Sequence, residues 1–214
     1  MGSEISTKKK RLVVLVDLDD TVRNYEGHFL TKFREKYPNE PYVPCDEREK
    51  YSILEDYERL PATRRNIKTI VKNIYNSKGF GRDIPEINGA VQALQEMAKM
   101  KGVDVFIVTE PSYHPSEYRY SVAETYEWVE NNLGKDWLDK IIITWDKTLV
   151  EGHILIDDKV EITGAIEDPS WIHVVFTSCH NEKSNLHGKT RLDNWTNGKW
   201  KVIIENVKDR YLIE

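Results

Sequence analysis

Apolar positions along this chain fall into short blocks whose spacing changes from strand-like to helix-like and back. The first block, Leu12-Val13-Val14-Leu15-Val16, is continuous and aliphatic, which predicts a strand buried on both faces. Phe29, Leu30 and Phe33 then recur at helical spacing within residues 26–37, until Pro38, Pro41 and Pro44 interrupt the pattern. A second helix is predicted over 46–59, with Tyr51, Leu54 and Tyr57 on one stripe. A third is predicted over 62–77, with Ile67, Ile70, Val71 and Ile74 inward, closed by Gly79 and Gly81. Beyond Pro85 the pattern alternates. Helices are predicted over 90–100 and 116–133, and strands over 103–108, 140–144, 154–156 and 172–176. The tail, 193–214, reads as a closing helix, with a strand as the alternative. Strands separated by helices imply an α/β fold: a doubly wound, mainly parallel sheet with helices on both faces. Residues 1–30 and 85–214 would form the core, and 31–84 a helical cap inserted after the first strand.

Composition narrows the class. A net charge of −5 argues against binding a nucleic acid polymer. No apolar stretch approaches the roughly 20 residues needed to cross a bilayer, so no membrane is expected. The opening residues hold no apolar leader, and the basic run Lys8–Arg11 reads as a solvated lead-in to the first strand. Two cysteines far apart in sequence, Cys45 and Cys179, suit a reducing, cytoplasmic compartment.

The candidate chemistry sits at strand ends. The first strand runs straight into Asp17-Leu18-Asp19-Asp20-Thr21. Asp17 and Asp19 are two residues apart, a crowding of like charge that a cation would relieve. The strand over 103–108 delivers Thr109 and Glu110, that over 140–144 leads to Trp145-Asp146-Lys147-Thr148, and that over 154–156 delivers Asp157-Asp158. Parallel strands bring these ends to one edge, where ligands bind in open α/β sheets. A carboxylate there can attack phosphorus. A second can protonate the leaving oxygen and then activate water. A hydroxyl and an ammonium can hold phosphate oxygens, and Mg²⁺ suits a few carboxylate oxygens beside a phosphate.

Asp17-x-Asp19-x-Thr21, Thr109, Lys147 and Asp157-Asp158 together resemble the four motifs of the haloacid dehalogenase superfamily of phosphatases. Further segments resemble its 5′(3′)-deoxyribonucleotidases. They are residues 25–33, 84–90 and 127–130, Asp146-Lys147-Thr148-Leu149-Val150, Leu155-Ile156-Asp157-Asp158-Lys159, 169–173 and 176–181. The resemblance implies Asp17 as nucleophile and Mg²⁺ ligand. It implies Asp19 as general acid/base, offering its backbone carbonyl to the metal. Thr109 and Lys147 would bind phosphate, with Glu110 standing where the family serine helps hold it. Asp157 and Asp158 would be the acid pair of the metal site, with Asp158 favoured as direct ligand and Asp157 as the partner of Lys147. Tyr51 would meet the substrate from the cap, and Trp145 would pack or act as a lid.

The chain departs from the family pattern in four places: Asp20 for glycine, Glu110 for serine, Trp145 for arginine, and the segment Tyr51-Ser52-Ile53 for Phe-Trp-Val. The implied substrate is a nucleoside monophosphate, preferably a deoxyribonucleotide. The alternatives are another small phosphomonoester, or a weakly catalytic nucleotide-binding relative. A homodimer is an expectation from the family alone.

Overall fold

The structure, a computed structural model, describes residues 10–60, 66–111 and 118–211. Six parallel strands form one sheet in the order β3-β2-β1-β4-β5-β6. They are β1 (Leu12–Val16), β2 (Val103–Thr109), β3 (Ile141–Ile143), β4 (Ile154–Asp157), β5 (Ile172–Phe176) and β6 (Thr190–Leu192). Strand order reverses between β1 and β4, and the crevice at such a reversal is where open α/β sheets bind ligands. Val16 lies level with Ile107 of β2 and with Ile156 of β4. The residues that follow all three therefore emerge at one edge.

The helices are α1 (Tyr25–Lys36), α2 (Ile53–Glu58), α3 (Ile67–Tyr75), α4 (Ala90–Met97), α5 (Tyr118–Leu133) and α6 (Lys199–Tyr211). Leu12, Val14 and Val16 face one side of the sheet and pack with Leu94, Trp128 and Ile204 of α4, α5 and α6. Right-handed crossovers place α4 and α5 on the same side, because β1, β2 and β3 advance in one direction. Leu15 and Val108 face the other side, against Trp171, Val150 and Ile162 from the connections. The chain winds to both sides, but this second side is covered by loop segments and not by the helices the sequence suggests. The β3–β4 connection forms only the 3₁₀ turn Lys147–Leu149, and the β4–β5 connection, residues 158–171, is polar, carries Gly164 and Pro169, and forms no helix.

Phe29 and Phe33 of α1 share a separate apolar cluster with Ile53, Tyr57, Ile70, Val71 and Ile74 of α2 and α3. Both ring pairs onto Tyr57 are edge-on, at 5.5 and 4.9 Å. This helical unit sits above the strand ends.

Three local expectations change. The helix predicted over 46–59 is a 3₁₀ turn, Cys45–Glu47, followed by α2. Asp56 Oδ2 accepts from the backbone amides of Glu49 and Lys50 at 3.2 and 3.0 Å, so a side chain takes donors that a helix would need oriented otherwise. The short edge strand β6 was not expected from its polar sequence, Thr190-Arg191-Leu192. The tail is helical only from Lys199. Trp195 lies outside that helix, stacked on Phe176 and donating to the Thr21 carbonyl at 2.8 Å. Of the helices expected over 62–77 and 116–133, residues 62–65 and 116–117 lie outside the described residues, as do Lys8 and Lys9 of the basic lead-in. No helix among the described residues is long and apolar enough to cross a membrane.

Candidate active site

Asp17 follows β1 directly, its amide bonded to the Ile156 carbonyl at 2.8 Å. Asp157 ends β4 and Asp158 follows it; Thr109 ends β2. Lys147 opens a 3₁₀ turn after β3. Asp146 fixes that turn by accepting from the Thr148 amide and hydroxyl and from the Ala165 amide. Gly164 makes room for it: a Cβ there would lie 1.9 Å from Asp146 Oδ1.

These supports bury the Lys147 ammonium between two carboxylates, 2.5 Å from Asp17 Oδ1 and 2.6 Å from Asp157 Oδ2. Asp17, Asp157 and Asp158 each bring an oxygen within 4.8 Å of the others. Three carboxylates thus face one lysine in a buried site. Burial pushes the Asp17 carboxyl well up, and Asp157 and Asp158 push it further, against the pull of Lys147. Asp158 is likewise raised, first by burial and then by Asp157. Burial works to raise Asp157 too, but Lys147 outweighs it and holds this carboxyl below its usual range. The same two partners hold Lys147 firmly protonated despite its burial.

The carboxylate of Asp19 stands outside this trio, so the crowding read from the sequence between Asp17 and Asp19 is instead between Asp17 and the acids of β4. Asp19 is met by Arg23, four residues on, at 2.6 Å. Asp20 adopts a left-handed backbone, φ 55°, and its carboxylate accepts from the Glu26 amide at the start of α1. That is the backbone region in which glycine is favoured, and Asp tolerates it through such local bonding.

Glu110 accepts from Lys159 and lines the cavity, so its charge is balanced by an ammonium. Lys159 also lies 4.8 Å from the Tyr51 ring. His180 bridges the core and α1, 3.3 Å from both Asp158 Oδ2 and Glu26 Oε1. Glu26 in turn binds Arg48, which also holds Asp56 at 2.7 Å. Asn181 donates to the Asp158 carbonyl at 2.6 Å. Sequence reasoning passed over Arg23, Glu26, Arg48 and Lys159. Only Arg23, at i+4 from Asp19, and Lys159, next to the acid pair, left a local signal.

Above the carboxylates lies a cavity of about 500 Å³. Asp17, Asp19, Thr109, Lys147 and Asp158 line its base, and Tyr25, Tyr51, Tyr75, Phe80 and Tyr120 its walls. A second cavity of similar size adjoins it beyond Tyr51, Glu110 and Lys147, and is where Trp145, 44% exposed, is found.

The profile of the "5′ nucleotidase, deoxy (pyrimidine), cytosolic type C protein" family matches residues 11–208. The human mitochondrial 5′(3′)-deoxyribonucleotidase is 39% identical over 198 residues, covering 92% of this chain and 84% of the relative. The human cytosolic-type 5′(3′)-deoxyribonucleotidase is 38% identical over 194 residues, covering 90% and 93%. Among solved structures, a HAD family hydrolase of Deinococcus radiodurans with bound phosphate and sodium superposes with a TM-score of 0.56 at 11% identity, covering 94% of this chain and 97% of that one. A HAD hydrolase of Bacillus subtilis bound to magnesium gives 0.53 at 10% identity, covering 92% and 99%. The fold is thus the haloacid dehalogenase type, and the chain belongs to the 5′ nucleotidase, deoxy (pyrimidine), cytosolic type C family, as a phosphatase of the 5′-nucleotidase kind.

Proposed function

We propose that the chain is a Mg²⁺-dependent 5′(3′)-deoxyribonucleotidase that hydrolyses nucleoside monophosphates through a phosphoryl group carried on Asp17. The observation that supports this reading best is the Asp17–Lys147–Asp157 cluster at the base of a cavity walled by aromatic rings. The base of the cavity suits a phosphoryl group, and flat aromatic walls suit a nucleobase.

The donor set fits a divalent cation. Asp17, Asp157 and Asp158 carry three formal negative charges against one lysine in a buried site. Asp17, Asp158 and the Asp19 carbonyl would hold Mg²⁺, while Asp157 stays with Lys147. When bound, the ion neutralises charge on the phosphoryl oxygens.

The side chains supply the rest. Lys147 and Thr109 hold non-bridging oxygens and orient the phosphorus toward Asp17. The Asp17 carboxylate forms a bond to phosphorus as the ester P–O bond breaks, and Asp19 gives its proton to the departing alkoxide. Asp19, now ionised, takes a proton from water. That water attacks phosphorus, the bond to Asp17 breaks, and inorganic phosphate leaves. Tyr51 contacts the nucleoside from the helical cap, and Trp145 covers the adjoining cavity.

The test is phosphate release from a panel of nucleoside monophosphates and sugar phosphates with Mg²⁺ present. Deoxyribonucleotides should be hydrolysed, chelation should stop turnover, and Asp17→Asn should fall to background. Purified wild type that releases no phosphate from any member of the panel would overturn the reading.

A further inference from the structure

Asp19 has to meet the leaving oxygen in one step and water in the next, so something must set its carboxylate. Arg23 approaches it as a fork, Nε to Oδ1 at 2.6 Å and Nη2 to Oδ2 at 3.3 Å. The Arg23 side chain is only 5% exposed. Its third contact is Nη1 to the Gly81 carbonyl at 2.9 Å, and its guanidinium lies 5.8 Å from the Trp128 ring centroid.

The backbone of Arg23 is equally fixed. Its amide donates to the Leu18 carbonyl and its carbonyl accepts from the Asp20 amide, at 2.9 and 2.8 Å. It also bridges to Glu86. The neighbouring bonds Asn24 N to Pro85 O and Ile87 N to Val22 O, both 2.8 Å, tie the segment leaving for the helical unit to the segment returning from it. Gly81 belongs to that return, and Glu124 of α5 holds the Gly79 and Gly81 amides at 2.5 and 2.8 Å. One guanidinium therefore spans Asp19 and the seat of the helical unit on the core.

We infer that Arg23 is a positioning residue for Asp19, setting the acid/base carboxylate from the junction between the helical unit and the core. This rests on the aspartyl-phosphate reading above. Displacing a reacting group by about 1 Å is enough to cost about 100-fold in rate. Without the fork Asp19 is free to rotate, and both of its proton transfers suffer while the Asp17 attack does not.

A p-nitrophenyl ester separates these steps, because p-nitrophenolate departs without a proton. Arg23→Ala should lower kcat for a deoxyribonucleoside monophosphate by about 100-fold, with KM within a few-fold. With p-nitrophenyl phosphate it should still give a fast burst of about one equivalent of p-nitrophenolate, followed by slow turnover. Arg23→Lys, which keeps the charge and loses the fork, should fall between. Adding Arg23→Ala to Asp19→Asn should cost nothing further, since both remove one function. If Arg23→Ala does not fold, the burst and steady rate of Arg23→Lys decide.

Loss of burst and turnover together in a folded variant would make the role structural and overturn the inference. So would unchanged turnover, or a double variant whose losses multiply. If Asp17→Asn retains turnover, the aspartyl-phosphate reading fails, whatever Arg23 does.

Discussion

Asp20 shows what one residue costs and returns in this site. Its left-handed backbone is strained for a residue with a side chain, by about 1 kcal/mol or more. The bond from the Glu26 amide offsets part of that. Its charge does not help: burial first, then Glu26 and Asp158, push its carboxyl well up. Asn keeps the acceptor, tolerates the backbone and removes the charge. Asp20→Asn should therefore raise the neutral-pH melting temperature by about 2–4 °C, the equivalent of about 1 kcal/mol for a chain of this size, measured by thermal denaturation. Glu110 argues the opposite case, because its charge is balanced by Lys159 at the cavity wall. Glu110→Ser should free that ammonium and lower KM for a dianionic phosphomonoester several-fold, less so at high salt. An unchanged KM at low salt would place Glu110 outside substrate recognition. The acids and the lysine were legible in sequence because each ends a strand or follows one within a few residues. The partners of Glu110 and Asp158 were not, since Lys159 and His180 stand 49 and 22 residues away from them.

At the level of elements, the segment between α1 and α2 shows why periodicity misleads. Tyr51, Leu54 and Tyr57 are helically spaced, yet Tyr51 precedes the helix and is 55% exposed. What decides this stretch is Arg48, 3% exposed, held between Glu26 and Asp56 while donating to the Lys50 carbonyl at 2.8 Å. A chain path built on buried ion pairs has no periodic signature. The strand β1 was legible for the converse reason, that a fully buried parallel strand must be apolar throughout. Arg48 also ties the helical unit to α1 and, through Glu26, to His180 and Asp158. Arg48→Met would take away the cation that Glu26 and Asp56 share, leaving Asp56 the 3.7 Å contact from Arg59 and Glu26 the 3.3 Å contact from His180. It should cost about 3–5 kcal/mol of stability, seen as a lower urea midpoint with an unchanged slope. A loss below about 1 kcal/mol would mean that water reaches both carboxylates.

For the whole molecule, the class of fold followed from the alternation of strand and helix, but the covering of the second side by loop segments among the described residues did not, because irregular connections leave no periodic pattern to read. What the sheet achieves globally is to bring Asp17, Asp157 and Asp158 together, at a cost in stability. Asp17 and Asp158 have folded-state carboxyls raised above the ordinary value of 3.8. The folded chain thus binds protons more tightly than the unfolded one at these two sites. Their contribution is fully present below about pH 4 and is lost as pH rises through the folded values. Asp157, held low by Lys147, works in the other direction, adding stability above the ordinary carboxylate range and losing it as pH falls. With two raised groups against one lowered, the site itself becomes less stable as metal-free protein is brought from mild acid toward neutral pH. A divalent cation held by these carboxylates would take the place of the missing protons. Mg²⁺ at about 100 times its Kd should restore about 2.7 kcal/mol at neutral pH, and much less at pH 4, where protons compete. Asp158→Asn should raise the metal-free melting temperature at neutral pH and abolish the Mg²⁺ response. Melting curves of both proteins at two pH values, with Mg²⁺ and with chelator, would check this. An equal Mg²⁺ shift in Asp158→Asn would remove Asp158 from the metal site.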